Sequence, residues 1–256
     1  MKIPKIFMPE KDLDNKVNEL VMPKEMFGGG LVIEAEEFYA SSVDDALKSL
    51  FKGNYEALFM PSIVDMRVEA SKNATIWKNC YCTPSIMVTG STKQGNTVVV
   101  YAHVPNYFSN PDSIREAKKK ESVNGARIMP NQEFQRLLDL EDDKNVFVID
   151  YKTIRKSKSG VIRLESALRH PQTIPFLGGR ERAEKYLDRC EAVYGKKIGI
   201  WYSDDIHDKP IWRLLFIGND YYAGLYGGCL TDDGCFVGAC NSPVGATRKI
   251  VLAQDI

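Results

Sequence analysis

Between residues 145 and 202 the sequence reads as strand, helix and strand, and this order constrains the fold more than any other stretch. "VFVID" at 146–150 is a continuous apolar run, the pattern of a strand covered on both faces. "GGRERAEKYLDRCEAVYGKK" follows, with Ala183, Tyr186, Leu187, Cys190, Val193 and Tyr194 on one helical stripe and Gly195 as its stop. "IGIWY" is then a second buried strand. A right-handed parallel crossover is expected if both strands share a sheet.

The flanking segments fill in the class. "SSVDDALKSLF" places Ser42 three residues before Asp45, an acidic capping box, with Val43, Ala46, Leu47, Leu50 and Phe51 at helical spacing. Two β-rich runs, about 84–89 and 96–102, are joined by a turn and predict a hairpin. Ser113 and Glu116 in "NPDSIREAKKKE" stand at capping-box spacing, and "PNQEFQRLLDLE" aligns Phe134, Leu137 and Leu138 on one face. After 210 the chain turns β-rich, with many glycines and with Tyr221, Tyr222 and Tyr226. The expected class is α+β (mixed α/β): a mixed sheet with helices and a β-rich Gly/Tyr C-terminal part that includes a hairpin at about 225–240. One compact domain over 1–256 is expected, with a seam near 155–160 in "RKSKSG".

That C-terminal part holds "GGCLTDDGCFVGAC", with three of the six cysteines within 229–240. A turn at "TDDG" makes it a hairpin. Cys235 and Cys240, five positions apart on one strand, then point to opposite faces, so three thiolates cannot converge on one zinc without a bulge near Gly238 or a break in the strand. The cysteines are read as buried packing residues, Cys190 among them, and no residue is assigned to a metal.

Charge narrows the partners. Thirty-four basic residues balance thirty-four acidic ones, which disfavours nucleic acid as a partner. The N-terminus lacks an apolar run of the secretory kind, and no stretch reads as a membrane span, so a cytoplasmic chain without membrane association is expected. P-loop, dinucleotide-binding, zincin and nucleophile-elbow motifs do not occur.

Two polar constellations remain. Strands ending at His103, at Asp150 and before Asp204 and Asp205 would gather acid/base groups, or hold a divalent cation, if they were parallel neighbours. His207 in "DDIHD" reads as a solvated loop residue. Gly178, Gly179, Arg180 and Arg182 open the long helix and form a candidate anion site, though Glu181 competes for the helix terminus. Glu34 and Glu36 share a strand face with Glu37 opposite, and basic "YKTIRKSKSG" reads as solvated surface. The favoured expectation is a non-catalytic binding or assembly protein that uses the Gly/Tyr-rich β surface, taking a protein partner or a small anionic ligand. The alternative is a hydrolase-type enzyme, metal-dependent or not, acting on small molecules or phosphoesters at the strand ends.

Overall fold

The computed structural model describes residues 18–20, 35–157, 159–201, 205–218, 223–228 and 234–240. In chain order the strands are β1 (Asn18–Leu20), β2 (Ala35–Ala40), β3 (Tyr55–Ala57), β4 (Tyr81–Ser91), β5 (Thr97–Ala102), β6 (Ser122–Val123), β7 (Ala126–Ile128), β8 (Val146–Asp150), β9 (Gly160–Arg163), β10 (Lys197–Trp201), β11 (Ile211–Gly218), β12 (Ala223–Gly228) and β13 (Gly234–Cys240). The helices are α1 (Val43–Lys52), α2 (Met60–Glu69), α3 (Pro111–Lys118), α4 (Asn131–Asp139), α5 (Tyr151–Arg155), α6 (Leu164–Ala167), α7 (Thr173–Leu177) and α8 (Arg180–Tyr194). The fold is α+β.

Two sheets carry it. The larger runs β8-β5-β4-β11-β12-β10-β9, with β7 continuing alongside β11 where β12 ends and β6 paired to β7. The smaller runs β1-β2-β13-β3. Among the described strands only β10 and β12 pair in parallel. Following the antiparallel pairings across the sheet, β8 and β10 point the same way but lie five strand positions apart. The expected crossover therefore joins distant strands rather than neighbours. β8 is also an edge strand with Val148 and Ile149 only half-buried, not a strand covered on both faces.

Alternation along the central strands supplies two cores. Leu215 and Ile217 of β11, with Tyr101 of β5 and Ile198 and Ile200 of β10, face a cluster built from α2 and α5 to α8. Trp212, Leu214 and Phe216, with Val88 and Val100, face the opposite cluster from α1, α3, α4 and the small sheet. The β4–β5 hairpin forms as expected, with Gly95 at φ +82 in its loop. α1 is capped as expected: the Ser42 side chain accepts from the Asp45 amide and donates to the Asp45 carboxylate at 2.8 Å. α3 begins earlier than the Ser113 reading. Asn110 caps it by accepting from the Asp112 amide at 2.8 Å, and Pro111 takes the first turn, where its missing N–H costs nothing.

The hairpin expected at 225–240 does not form. β12 pairs with β11 and β10 in the large sheet, whereas β13 crosses to the small sheet between β2 and β3. A "DDG" turn signal is local, and it cannot reveal that the strand after it is claimed by β2, 196 residues upstream at the Cys235–Tyr39 pair of the register. The glycines mark where rings lie against the sheet. A Cβ on Gly228 would stand 2.3 Å from the Phe216 ring, and one on Gly224 would stand 2.1 Å from the Tyr226 ring.

Candidate functional site

Antiparallel pairing disperses the strand-end constellation. Val98 is opposite Asp150 and Ala102 is opposite Val146, so His103 lies beyond the far end of β8 from Asp150, roughly 17 Å away along the strand. Asp205 follows β10 on the same sheet edge as Asp150, but five strand positions away is on the order of 24 Å. The expectation that these residues gather is corrected by the strand order. Asp204 lies outside the described residues.

Each dispersed residue has a local task. The Asp150 carboxylate accepts from the Lys152 amide at 2.6 Å and caps α5. His103 is buried with both ring nitrogens engaged: Nδ1 lies 2.9 Å from Ser85 Oγ and Nε2 lies 2.8 Å from the Pro175 carbonyl. The carbonyl can only accept, so Nε2 carries the hydrogen and Nδ1 accepts from the Ser85 hydroxyl. That hydroxyl oxygen accepts in turn from the Met60 amide at 2.9 Å, at the start of α2. Burial pushes the His103 pKa down to about 4 and keeps the ring neutral.

The Gly178–Arg182 segment is likewise occupied from within. Gly178 adopts φ 78 as the left-handed cap of α7, and Gly179 at φ 120 leads into α8. The Arg182 guanidinium forms a fork on Asp65 at 2.7 and 3.0 Å and also donates to the Gly178 carbonyl at 2.5 Å. Arg180 is exposed beside Glu184 at 3.6 Å. The arginine best placed to meet an anion is already neutralised by a carboxylate on α2.

Among the described residues Cys80, Cys82 and Cys190 are buried. Cys229, and the side chains of Cys235 and Cys240, lie outside the described residues, so the opposite-face expectation for the last two stands only as an expectation. Burial pushes the Cys190 thiol up to about 12. No group of three His, Cys, Asp or Glu among the described residues could hold a metal ion, and no described helix is long and apolar enough to cross a membrane.

The described part of the Gly/Tyr stretch, Gly224–Gly228, is interior rather than surface. Leu225 and Tyr226 of β12 are 0% and 1% exposed, and Tyr226 stacks on Trp201 with centroids 6.3 Å apart and planes 4° from parallel. Tyr221 and Tyr222 lie outside the described residues. Glu37, on the strand face opposite Glu36, is fully buried, where it accepts from Tyr39 Oη at 2.7 Å, from Asn79 Nδ2 at 3.1 Å and from Tyr81 Oη.

A different polar node stands at the sheet end that carries Asp205. Arg213 of β11 is 2% exposed and donates to the Asp205 carboxylate at 2.9 Å and to the Asn124 carbonyl at 2.6 Å. Asn124 Nδ2 donates to the other Asp205 oxygen at 2.5 Å. Asn124 (φ 48) and Gly125 (φ 87) form the tight turn between β6 and β7 that presents these groups. The node ties the start of the 205–210 loop to the sheet, and just beyond it Ile206 is 52% exposed, with Asp208 and Lys209 exposed as well. Sequence reasoning missed Arg213 because "IWRLLFIG" reads as a uniform strand. A lone charge inside such a run was the available signal, since a buried guanidinium demands acceptors.

A solved structure described as "Accommodation of massive sequence variation in Nanoarchaeota by the C-type lectin fold" is 52% identical to this chain, with a TM-score of 0.77 over 81% of this chain and 98% of its own. The chain belongs to that C-type lectin-fold family. No protein-family model and no curated protein matches it.

Proposed function

We propose that the chain is a non-catalytic binding protein whose contact surface is carried by its C-terminal β-rich part, at the sheet end where the 205–209 segment meets the β6–β7 turn. The observation that carries this reading is membership of a family whose relative is described as accommodating massive sequence variation in the C-type lectin fold, a binding fold. Variation of that kind suits a scaffold in which a fixed interior holds replaceable surface groups. The interior here supports it: Tyr226, Phe216 and the β12 glycines pack beneath the surface, and the Arg213–Asp205–Asn124 node anchors the loop that carries exposed Ile206. An exposed Ile close to exposed Asp208 and Lys209 suits an amphiphilic ligand such as a protein surface.

A panel of proteins and glycans, screened with the full chain and with an Ile206→Asp, Lys209→Glu variant, tests the reading. It expects a ligand bound by the parent and lost by the variant at unchanged Tm. Binding that survives in the variant would contradict it.

A further inference from the structure

The opposite edge of the large sheet, at β9, carries features that the loop-based reading does not use. β9 pairs with β10 on one side only, and no described strand lies beyond it. Its outer backbone groups face outward from the sheet, a ready template for another strand. Alternation sends Ile162 to the interior, against the cluster beneath α6 and α8, and Val161 to the other face, where it is 42% exposed. Gly199 is opposite Val161 and contributes no side chain, and Trp201 stands two residues further on the same face of β10, half-buried. Val161, Gly199 and Trp201 therefore form a shallow apolar shelf at the sheet margin.

The charge around this margin is one-sided. From Tyr151 to Arg163 the sequence "YKTIRKSKSGVIR" carries five basic residues and no acidic one, in a chain whose total charge is balanced. Lys156 precedes β9 by four residues and Arg163 ends it, both exposed, and exposed Lys196 and Lys197 at the start of the neighbouring strand add to them, whereas Lys152 and Arg155 lie on α5 against β5 and β8. Arg163 is opposite Lys197 in the register, and its ion pair to Glu165 at 3.4 Å is between side chains 80% and 70% exposed, where such a pair contributes little.

We propose that the edge of β9, open among the described strands, is a docking edge for an extended acidic segment of a partner protein, added as a strand beyond Gly160–Arg163. Backbone pairing supplies the register, Val161 takes an apolar side chain of the incoming strand, and the surrounding cations take its carboxylates. A nucleic acid would satisfy the charge but not the open ladder or the apolar shelf.

The test uses the full chain and the peptide acetyl-Asp-Val-Glu-Val-Glu-Val-Asp-amide, with a second peptide in which the central valine is proline. Fluorescence anisotropy should show the first peptide binding and the proline peptide at least about tenfold weaker, because proline removes a ladder donor. Lys156→Glu with Arg163→Glu should weaken the first peptide by a similar factor. All these positions are exposed, so an unchanged Tm certifies the fold. Hydrogen exchange should slow at the outward amides of 160–163 when the peptide is bound. Equal binding of the two peptides, indifference to the charge reversal, or protection elsewhere would overturn the proposal. A twelve-residue oligothymidylate that binds tighter than the peptide and responds to the same variant would reassign the margin as a polyanion surface. Self-association abolished by Val161→Lys would assign it to a second copy of the chain.

Discussion

Arg67 and Glu37 are both fully buried, and they are joined through Asn79. The Arg67 Nη2 donates to the Asn79 carbonyl at 2.8 Å, and the Asn79 Nδ2 donates to the Glu37 carboxylate at 3.1 Å. Tyr81 makes a second bridge: its hydroxyl bonds Glu37 while the Arg67 guanidinium lies 5.8 Å from its ring centroid. Arg67 otherwise donates to the carbonyls of Ile76, Ile217 and Gly218 and to the Tyr186 hydroxyl, and it stands over the Trp77 ring at 5.5 Å. One residue thus ties α2, α8 and the end of β11 together, and through Asn79 it reaches the small sheet.

Because four carbonyls depend on it, replacing Arg67 should be severe. Arg67→Met keeps much of the volume but leaves those acceptors without a donor, and it is expected to cost about 3–5 kcal/mol in urea unfolding. Glu37→Gln keeps the shape and part of the bonding, and should cost about 1–2 kcal/mol. Equal effects would show that the two charges act as a direct pair.

His103 gives the fold a pH signature. Its pKa falls from the ordinary 6.5 to about 4 because burial penalises the cation. The unfolded chain therefore takes up this proton first. The stabilisation is complete above about pH 6.5 and is lost as pH falls toward 4, about 3 kcal/mol in all at roughly 1.4 kcal/mol per unit. Urea midpoints of the parent and of His103→Gln at pH 7 and pH 4.5 measure this. The parent should lose more stability than the variant over that interval, and parallel losses would remove His103 as the source.

Gly228 of β12 and Gly95 of the β4–β5 loop differ in what they touch. Gly228→Ala forces a methyl into the Phe216 ring and is expected to destabilise by about 1–3 kcal/mol. Gly95→Ala meets no atom within 4 Å and carries only the strain of φ +82, about 1 kcal/mol. Thermal unfolding of the two variants should preserve that order.

Cys190 should be chemically silent while the chain is folded. Its thiol is buried and pushed up to about 12, so at pH 8 it should resist iodoacetamide, whereas denaturant should expose it to rapid alkylation. Peptide mapping after a timed pulse reads the site directly, and rapid labelling of the native chain would contradict the buried placement.

What the sequence disclosed follows the range of each signal. The α8 stripe, the Ser42 cap and the β4–β5 hairpin depend on neighbours within a few residues, and all three formed where the spacing placed them. The candidate enzyme site depended on strand order, which periodicity does not encode. Antiparallel β5 and β8 separated His103 from Asp150, and four strands came to lie between β8 and β10. β13 pairs with β2 across most of the chain, so the turn signal before it pointed to the wrong partner. The sheet-end node was hidden for a related reason. Asn124, Asp205 and Arg213 acquire meaning only once β7 is seen to continue beside β11 beyond the end of β12.

The binding account rests on the sheet end held by that node. Once the ligand panel yields a ligand, amide chemical-shift mapping of the full chain with that ligand tests the account most directly. Shifts concentrated at 205–209 and 123–126, and abolished by Ile206→Asp, are the predicted result; shifts confined to other surfaces, with these segments unmoved, would contradict it.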